Sequence, residues 1–303
     1  MQESLDLISG EKLDEASDLL EHNRGEDVSA VFDFTLANIY FQKEQFSQAA
    51  EVYRTAVNKY PKFRRAWRNL GMIYVRKGNF EQALEALTRV IELGGADSVT
   101  YGLLGFSYSN RGNDMSAESA YRQAIMLDPD TMDWKMGLAR SFFQQERYAE
   151  AASFCGRLIE QFPDRSELWL LQANAYIGME KPLKAAENYE FVDSLGESTV
   201  DSLNMLGDIY INEKLFGVAV ESYIKAMKMK PDGGLQRPMR AARVLAARGA
   251  HAETGQLIEQ IESIRGDQLD QEDRKQLLKL RARIAVAQGA DEEEVNVLRE
   301  IVD

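Results

Sequence analysis

Alanine stands at Ala49, Ala83, Ala117, Ala151, Ala185 and Ala219, six copies spaced by 34 residues with no insertion or deletion. A fixed period of this length constrains the chain more than any single motif. Each copy must fold as one supersecondary unit whose apolar face is buried by its neighbours. Prolines keep the same register, with Pro61, Pro129, Pro163 and Pro231 separated by 68, 34 and 68 residues. The register defines six blocks: 30–63, 64–97, 98–131, 132–165, 166–199 and 200–233. Position 8 of each block is small: Ala37, Gly71, Gly105, Ala139, Ala173 and Gly207. Position 11 is aromatic: Tyr40, Tyr74, Tyr108, Phe142, Tyr176 and Tyr210. Position 7 is leucine except at Gln172, and position 24 is Tyr53, Leu87, Tyr121, Cys155, Tyr189 or Tyr223.

These spacings predict a helix-turn-helix in every block. Positions 4, 7, 8 and 11 share one face of a first helix, and positions 20, 24 and 27 one face of a second. Small residues at 8 and 20 let two backbones approach, and large ones at 11 and 24 fill the space beside them. Lys77-Gly78-Asn79 and Arg111-Gly112-Asn113 supply the turn, glycine being suited to the left-handed residue that ends a helix. Proline at position 32 closes the second helix, while Gly94-Gly95 and Gly196-Glu197 replace it in blocks two and five. Pro182 and Pro238 fall near helix starts, where a missing N–H costs little.

Trp67, Leu70, Gly71, Tyr74, Ala83 and Leu87 of block two resemble the tetratricopeptide repeat, whose 34-residue pattern they follow. The resemblance implies an all-α fold, a right-handed α-solenoid of helix-turn-helix repeats. Its expected organisation is capping helices at 1–29, six repeats at 30–233, and degenerate repeat-like helix pairs with a cap at 234–303. Leu13, Ala16, Leu19 and Leu20 form the apolar face of the N-terminal cap. Residues 235–266 read as a degenerate seventh copy with Ala242, a turn at Gly249, and Leu257, Ile258 and Ile261. A further pair is expected from 270 on: one helix through Leu277, Leu280 and Ile284, a break at Gly289, and one through Val295, Leu298 and Ile301.

Charge and chemistry narrow the function. The net charge of −13 is concentrated at the ends, nine acids facing only Lys12 and Arg24 within residues 1–29. Without a basic footprint the chain is not expected to bind nucleic acid. One cysteine excludes an internal disulfide, and Cys155 at position 24 reads as a core residue. Two histidines, His22 and His251, lie far apart without metal-ligand spacing. No phosphate loop, dinucleotide fingerprint or nucleophile elbow occurs, and Asp128 and Asp130 read as helix caps beside a proline turn. The chain is therefore expected to be no enzyme and to need no metal or cofactor. No apolar run reaches the length of a membrane span, so a soluble protein without membrane insertion is expected. The sequence does not fix the compartment: the cytoplasm and, if a leader was removed before Met1, the periplasm are both compatible with it.

The resemblance also implies that first helices line a concave groove, with positions 2, 5, 9, 12 and 13 pointing into it. The residues singled out are Phe34, Asn38, Phe41, Arg65, Arg68, Met72, Phe106, Met136, Arg140, Phe143, Leu170 and Asn174. Val31, Arg76, Asn110, Gln144, Ile177, Asp201, Asn204 and Asp208 occupy equivalent positions. Phe34, Phe41, Met72, Phe106, Met136, Phe143 and Leu170 would form an apolar strip suited to a peptide or amphipathic helix. Some relatives hold C-terminal carboxylates with two asparagines and several basic residues. Here Asn38 and Asn69 match, but Phe34, Val99 and Leu103 stand where the basic residues belong. The expected role is a protein–protein interaction scaffold within a bacterial envelope, secretion or regulatory assembly, its partner a protein or peptide. Self-association as a homodimer, through the apolar or C-terminal surface, and an appendage of a larger enzyme or envelope assembly are the alternatives.

Overall fold

A computed structural model describes residues 2–25 and 27–289. The chain divides at Arg147/Tyr148 into two compact units. Among the described residues there are seventeen α-helices, one short 3-10 turn and no strand. The first unit holds α1 (Gln2–Ser9), α2 (Leu13–His22), α3 (Ala30–Gln42), α4 (Phe46–Lys59), α5 (Arg64–Arg76), α6 (Phe80–Glu92), α7 (Ser98–Asn110), α8 (Asp114–Leu127) and α9 (Met132–Gln144). The second holds α10 (Tyr148–Ile159), α11 (Ser166–Gly178), α12 (Pro182–Ser194), α13 (Val200–Asn212), α14 (Phe216–Met229), α15 (Gln236–Ala247), α16 (His251–Arg265) and α17 (Gln271–Gln288).

The six recurring alanines are all completely buried, as are Ala37, Ala139 and Ala173 at position 8. Large side chains close the space around them, with Tyr53, Leu87 and Tyr223 at 0% exposure. Each fully buried Leu or Ile of this core contributes roughly 1.5–3 kcal/mol relative to exposure.

The turn inside each block is one structure repeated. Its middle residue, position 15, is left-handed every time: Glu44, Gly78, Gly112, Glu146, Glu180 and Lys214 have φ of 58°, 72°, 70°, 58°, 56° and 62°. The next N–H returns to the position-11 carbonyl, as in Gln45 to Tyr40 at 2.8 Å and Asn113 to Tyr108 at 2.9 Å. That 6→1 bond satisfies a carbonyl the helix end would otherwise leave bare. The glycine expected at this turn is thus present in only two blocks, and in the other four the hydrogen bonds hold a strained residue in place.

Both ends continue the hairpin plan. Glu11 and Gly249 are left-handed between α1 and α2 and between α15 and α16. In the first unit Asp33, 1% exposed, meets Lys59 at 2.7 Å and Arg24 at 3.5 Å. This buried carboxylate ties Arg24, just beyond the end of α2, to block one. In the second unit Leu277, Leu280 and Ile284 are buried on α17, which ends at left-handed Gly289. The helix expected through Val295, Leu298 and Ile301 lies outside the described residues.

Of the two acids expected to cap helices, Asp128 is the C-cap of α8, its N–H donating to the Ala124 carbonyl at 2.9 Å, while the N-cap of α9 is Thr131 rather than Asp130. Asp128 accepts from the Asp130 N–H at 3.2 Å and the Thr131 hydroxyl at 2.6 Å. Those bonds bind the proline turn itself and hold the Asp128 carboxyl below the usual range.

Candidate partner-binding face

The first-helix face is organised by a contact between positions 24 and 9 of one block. A tyrosine on the second helix passes its ring beside position 8 of the first helix, and its hydroxyl reaches the side chain at position 9. Tyr53 donates to Asn38 Oδ1 at 2.5 Å, Tyr189 to Asn174 Oδ1 at 2.7 Å, and Tyr223 to Asp208 Oδ1 at 2.5 Å. The small residue at position 8 is what lets the ring through. A Cβ on Gly207 would lie 2.7 Å from the Tyr223 ring. Burial pushes the Tyr53 and Tyr189 hydroxyls up to about 12. Tyr223 is raised further by burial and by its carboxylate acceptor Asp208.

These tyrosines were legible only as core-filling residues, so the reach of their hydroxyls to the first-helix face went unforeseen. One signal existed: position 9 is Asn or Asp in blocks one, five and six, all of which have tyrosine at 24.

In the first unit, Phe34 is half-buried against Phe63 at 4.7 Å and Tyr53 at 5.8 Å. Phe41 is half-buried against Phe46 at 5.5 Å. Both belong to the periphery of the core rather than to an open strip, because neighbouring rings offer them more contact than water does. Asn38 is engaged by Tyr53 and by Asn69 Nδ2, which also donates to the Tyr53 hydroxyl at 2.9 Å. Arg68 is half-buried and pairs with Asp97 at 3.1 Å. Burial alone would raise the Asp97 carboxyl, but hydrogen bonds from Thr100 and the charge of Arg68 hold it low. Arg65 is exposed and carries no ion pair among the described residues. Arg64, Arg65 and Arg68 line a depression with Gly94, Gly95 and Asp97. Met72, Met136 and Phe143 are half-buried. Phe106 is 43% exposed and Arg140 exposed.

In the second unit Leu170 is half-buried against the core and Asn174 is exposed. Asp208 takes the Arg240 guanidinium on both oxygens at 3.1 Å. Asn204 corrects the groove expectation, since it is buried at 7% exposure. It lines a cavity of about 250 Å³ with Lys230, Gly233, Gly234, Pro238 and Arg265. The end of α14, the 231–235 connection and the end of α16 cover this part of α13, and position 5 faces them instead of solvent.

Among the described residues no group of three His, Cys, Asp or Glu side chains is placed to hold a metal ion. Burial pushes the Cys155 thiol up to about 12, far from the thiolate a nucleophile needs. None of the described helices is long and apolar enough to cross a membrane.

Profiles of the tetratricopeptide repeat match residues 34–98, 116–175, and 99–131 together with 200–232. In combination they span more than half of the chain. The type IV pilus assembly protein PilF of Pseudomonas aeruginosa is 24% identical over 165 residues, which are 53% of this chain and 64% of that protein. The match thus spans less than two-thirds of that relative's length. Among solved structures, the C-terminal part of a TPR repeat-containing protein from Cytophaga hutchinsonii superposes with a TM-score of 0.65 at 15% identity, covering 80% of this chain and 99% of that one. YrrB, described as a TPR protein with an unusual peptide-binding site, gives 0.55 at 18% identity over 61% of this chain and 94% of its own. At such identities these superpositions establish the fold.

Proposed function

The chain belongs to the tetratricopeptide repeat family, and from that premise we propose that it is a protein–protein interaction scaffold that holds a segment of a partner on its first-helix face. The observation that carries this reading is the arrangement around α7 and α9 of the first unit. There exposed Phe106 and exposed Arg140, which has no ion pair among the described residues, accompany half-buried Met136 and Phe143 on one face. Aromatic and arginine side chains together are the common anchors of protein interfaces. The partner's apolar side chains pack on Phe106 and Met136, and its polar groups meet Arg65 and Arg140. The likeness to a pilus-assembly protein supports a role in holding components of an assembly together.

Affinity capture from the native source tests the proposal, comparing the wild-type chain with Phe106→Ala/Arg140→Glu. Both positions are exposed, so helicity should persist while partner recovery falls at least about ten-fold, the effect of losing one anchor and reversing one charge. Phe34→Ala is the poorer variant, because Phe34 supports Tyr53 and Phe63. Undiminished recovery with the double variant would remove the first-helix face as the binding surface.

A further inference from the structure

Block three breaks the pairing that blocks one, five and six share. Tyr121 occupies position 24 and is 4% exposed, but position 9 of its block is Phe106, which offers no acceptor. The Phe106 ring packs edge-on against Phe80 at 5.8 Å. Around Tyr53, the position-6 side chain of the next block, Asn69, adds a second partner. The equivalent residue next to Tyr121 is Gly137, whose Cβ, if present, would lie 2.3 Å from the Tyr121 Cζ. Neither the first helix nor the next one therefore supplies a partner. Among the described residues the Tyr121 hydroxyl has no hydrogen bond, although it is not a sealed polar atom. Burial pushes this hydroxyl up to about 12, so it stays protonated and can donate. Of the charges acting on it, Arg140 is foremost and Asp133 opposes it. Arg140 itself carries no ion pair among the described residues.

Resting on the scaffold reading above, we propose that Tyr121, Gly137 and Arg140 form a notch that receives a carboxylate side chain of the partner segment, with Phe106 packing the apolar residue beside it. A glutamate or aspartate oxygen accepts from the Tyr121 hydroxyl and from the Arg140 guanidinium. That satisfies the one position-24 tyrosine hydroxyl the fold leaves unused among the described residues. Hydrogen bonds between a charged and a neutral or charged partner are the stronger class, and a partly desolvated site amplifies them. Arg140 is the charge that favours this occupant, on a segment otherwise nearly balanced: residues 98–147 hold five Lys and Arg against six Asp and Glu. A basic side chain at the notch would meet Arg140, and an uncharged amide would forgo the ionic bond.

The test uses the full chain and two short synthetic peptides, one alternating leucine with glutamate and the other leucine with glutamine. Binding is followed by fluorescence anisotropy. The glutamate peptide should bind roughly ten-fold or more tightly than its glutamine counterpart, and the preference should shrink as salt is raised. Tyr121→Phe, which deletes one oxygen and keeps the ring, should reduce the glutamate preference to about three-fold or less while the glutamine peptide binds as before. Arg140→Gln should act in the same direction. Phe106→Asn gives Tyr121 the acceptor that Asn38 gives Tyr53, and should likewise erase the preference. Equal affinity for the two peptides, or a preference unchanged by Tyr121→Phe, overturns the notch while leaving the scaffold reading standing. Binding of the peptides that survives Phe106→Ala/Arg140→Glu places them off the first-helix face and overturns both.

Discussion

Block one and block three follow the same 34-residue plan, and each sends a tyrosine through to the first-helix face. In block one the fold consumes that tyrosine: Asn38 accepts from Tyr53, and Asn69 donates to it. In block three the corresponding positions are Phe106 and Gly137, and the Tyr121 hydroxyl is left over. The two blocks differ in their turns as well, with Glu44 in the strained left-handed position of one and Gly112 in the other. Block one puts its polar groups into holding the repeat together. Block three relaxes its turn and leaves polar and aromatic groups available. A solenoid can differentiate its copies in this way because each needs only its neighbours for support.

The largest effect should come from crowding the Tyr121 ring. Gly137→Ala places a methyl group where the Tyr121 ring lies, and should destabilise the first unit by about 1–3 kcal/mol, the usual range for overpacking. Urea unfolding followed by circular dichroism would measure it. An unchanged midpoint would mean that the ring moves aside freely. Removing the consumed hydroxyl comes next. Tyr53→Phe strips a shared partner from two asparagines and should cost about 1–2 kcal/mol, whereas Tyr121→Phe should stay within about 0.5 kcal/mol of wild type. Equal losses would erase the distinction between the blocks.

The turns give a smaller and oppositely signed pair. Gly112→Ala should cost about 1 kcal/mol, and Glu44→Gly should gain up to a similar amount, because a side chain at positive φ is strained. Amide exchange at Asn113 and Gln45, the residues that close these turns, reports each locally. The smallest effect is expected from Phe106→Asn. Recreating the block-one pair should raise stability by roughly 0.5–1 kcal/mol, the net worth of one hydrogen bond, less the packing lost against Phe80.

The fold was legible in the sequence because a period of 34 residues fixes helix number, register and buried face together. Ala49 and its five equivalents marked the core without any knowledge of what surrounds them. The candidate face was less so. Helical spacing says which side of a helix a residue occupies, and it placed Phe106 and Arg140 on the exposed side. It does not say how far a neighbouring element reaches, so the half-burial of Phe34 and Phe41 and the covering of Asn204 were hidden. The role of Tyr121 was hidden for another reason. A tyrosine at a core position looks the same whether its hydroxyl is satisfied or free, and only Phe106 and Gly137 together reveal which.

The central claim, that a partner lies along the first helices at blocks three and four, is tested most directly by site-specific photocrosslinking in the native source. One chain carries the photoreactive side chain in place of Phe106 on α7, and another carries it in place of Met115 on α8, which is 76% exposed. The account predicts a crosslinked partner from position 106 and none from position 115. A partner captured from position 115 alone would contradict it.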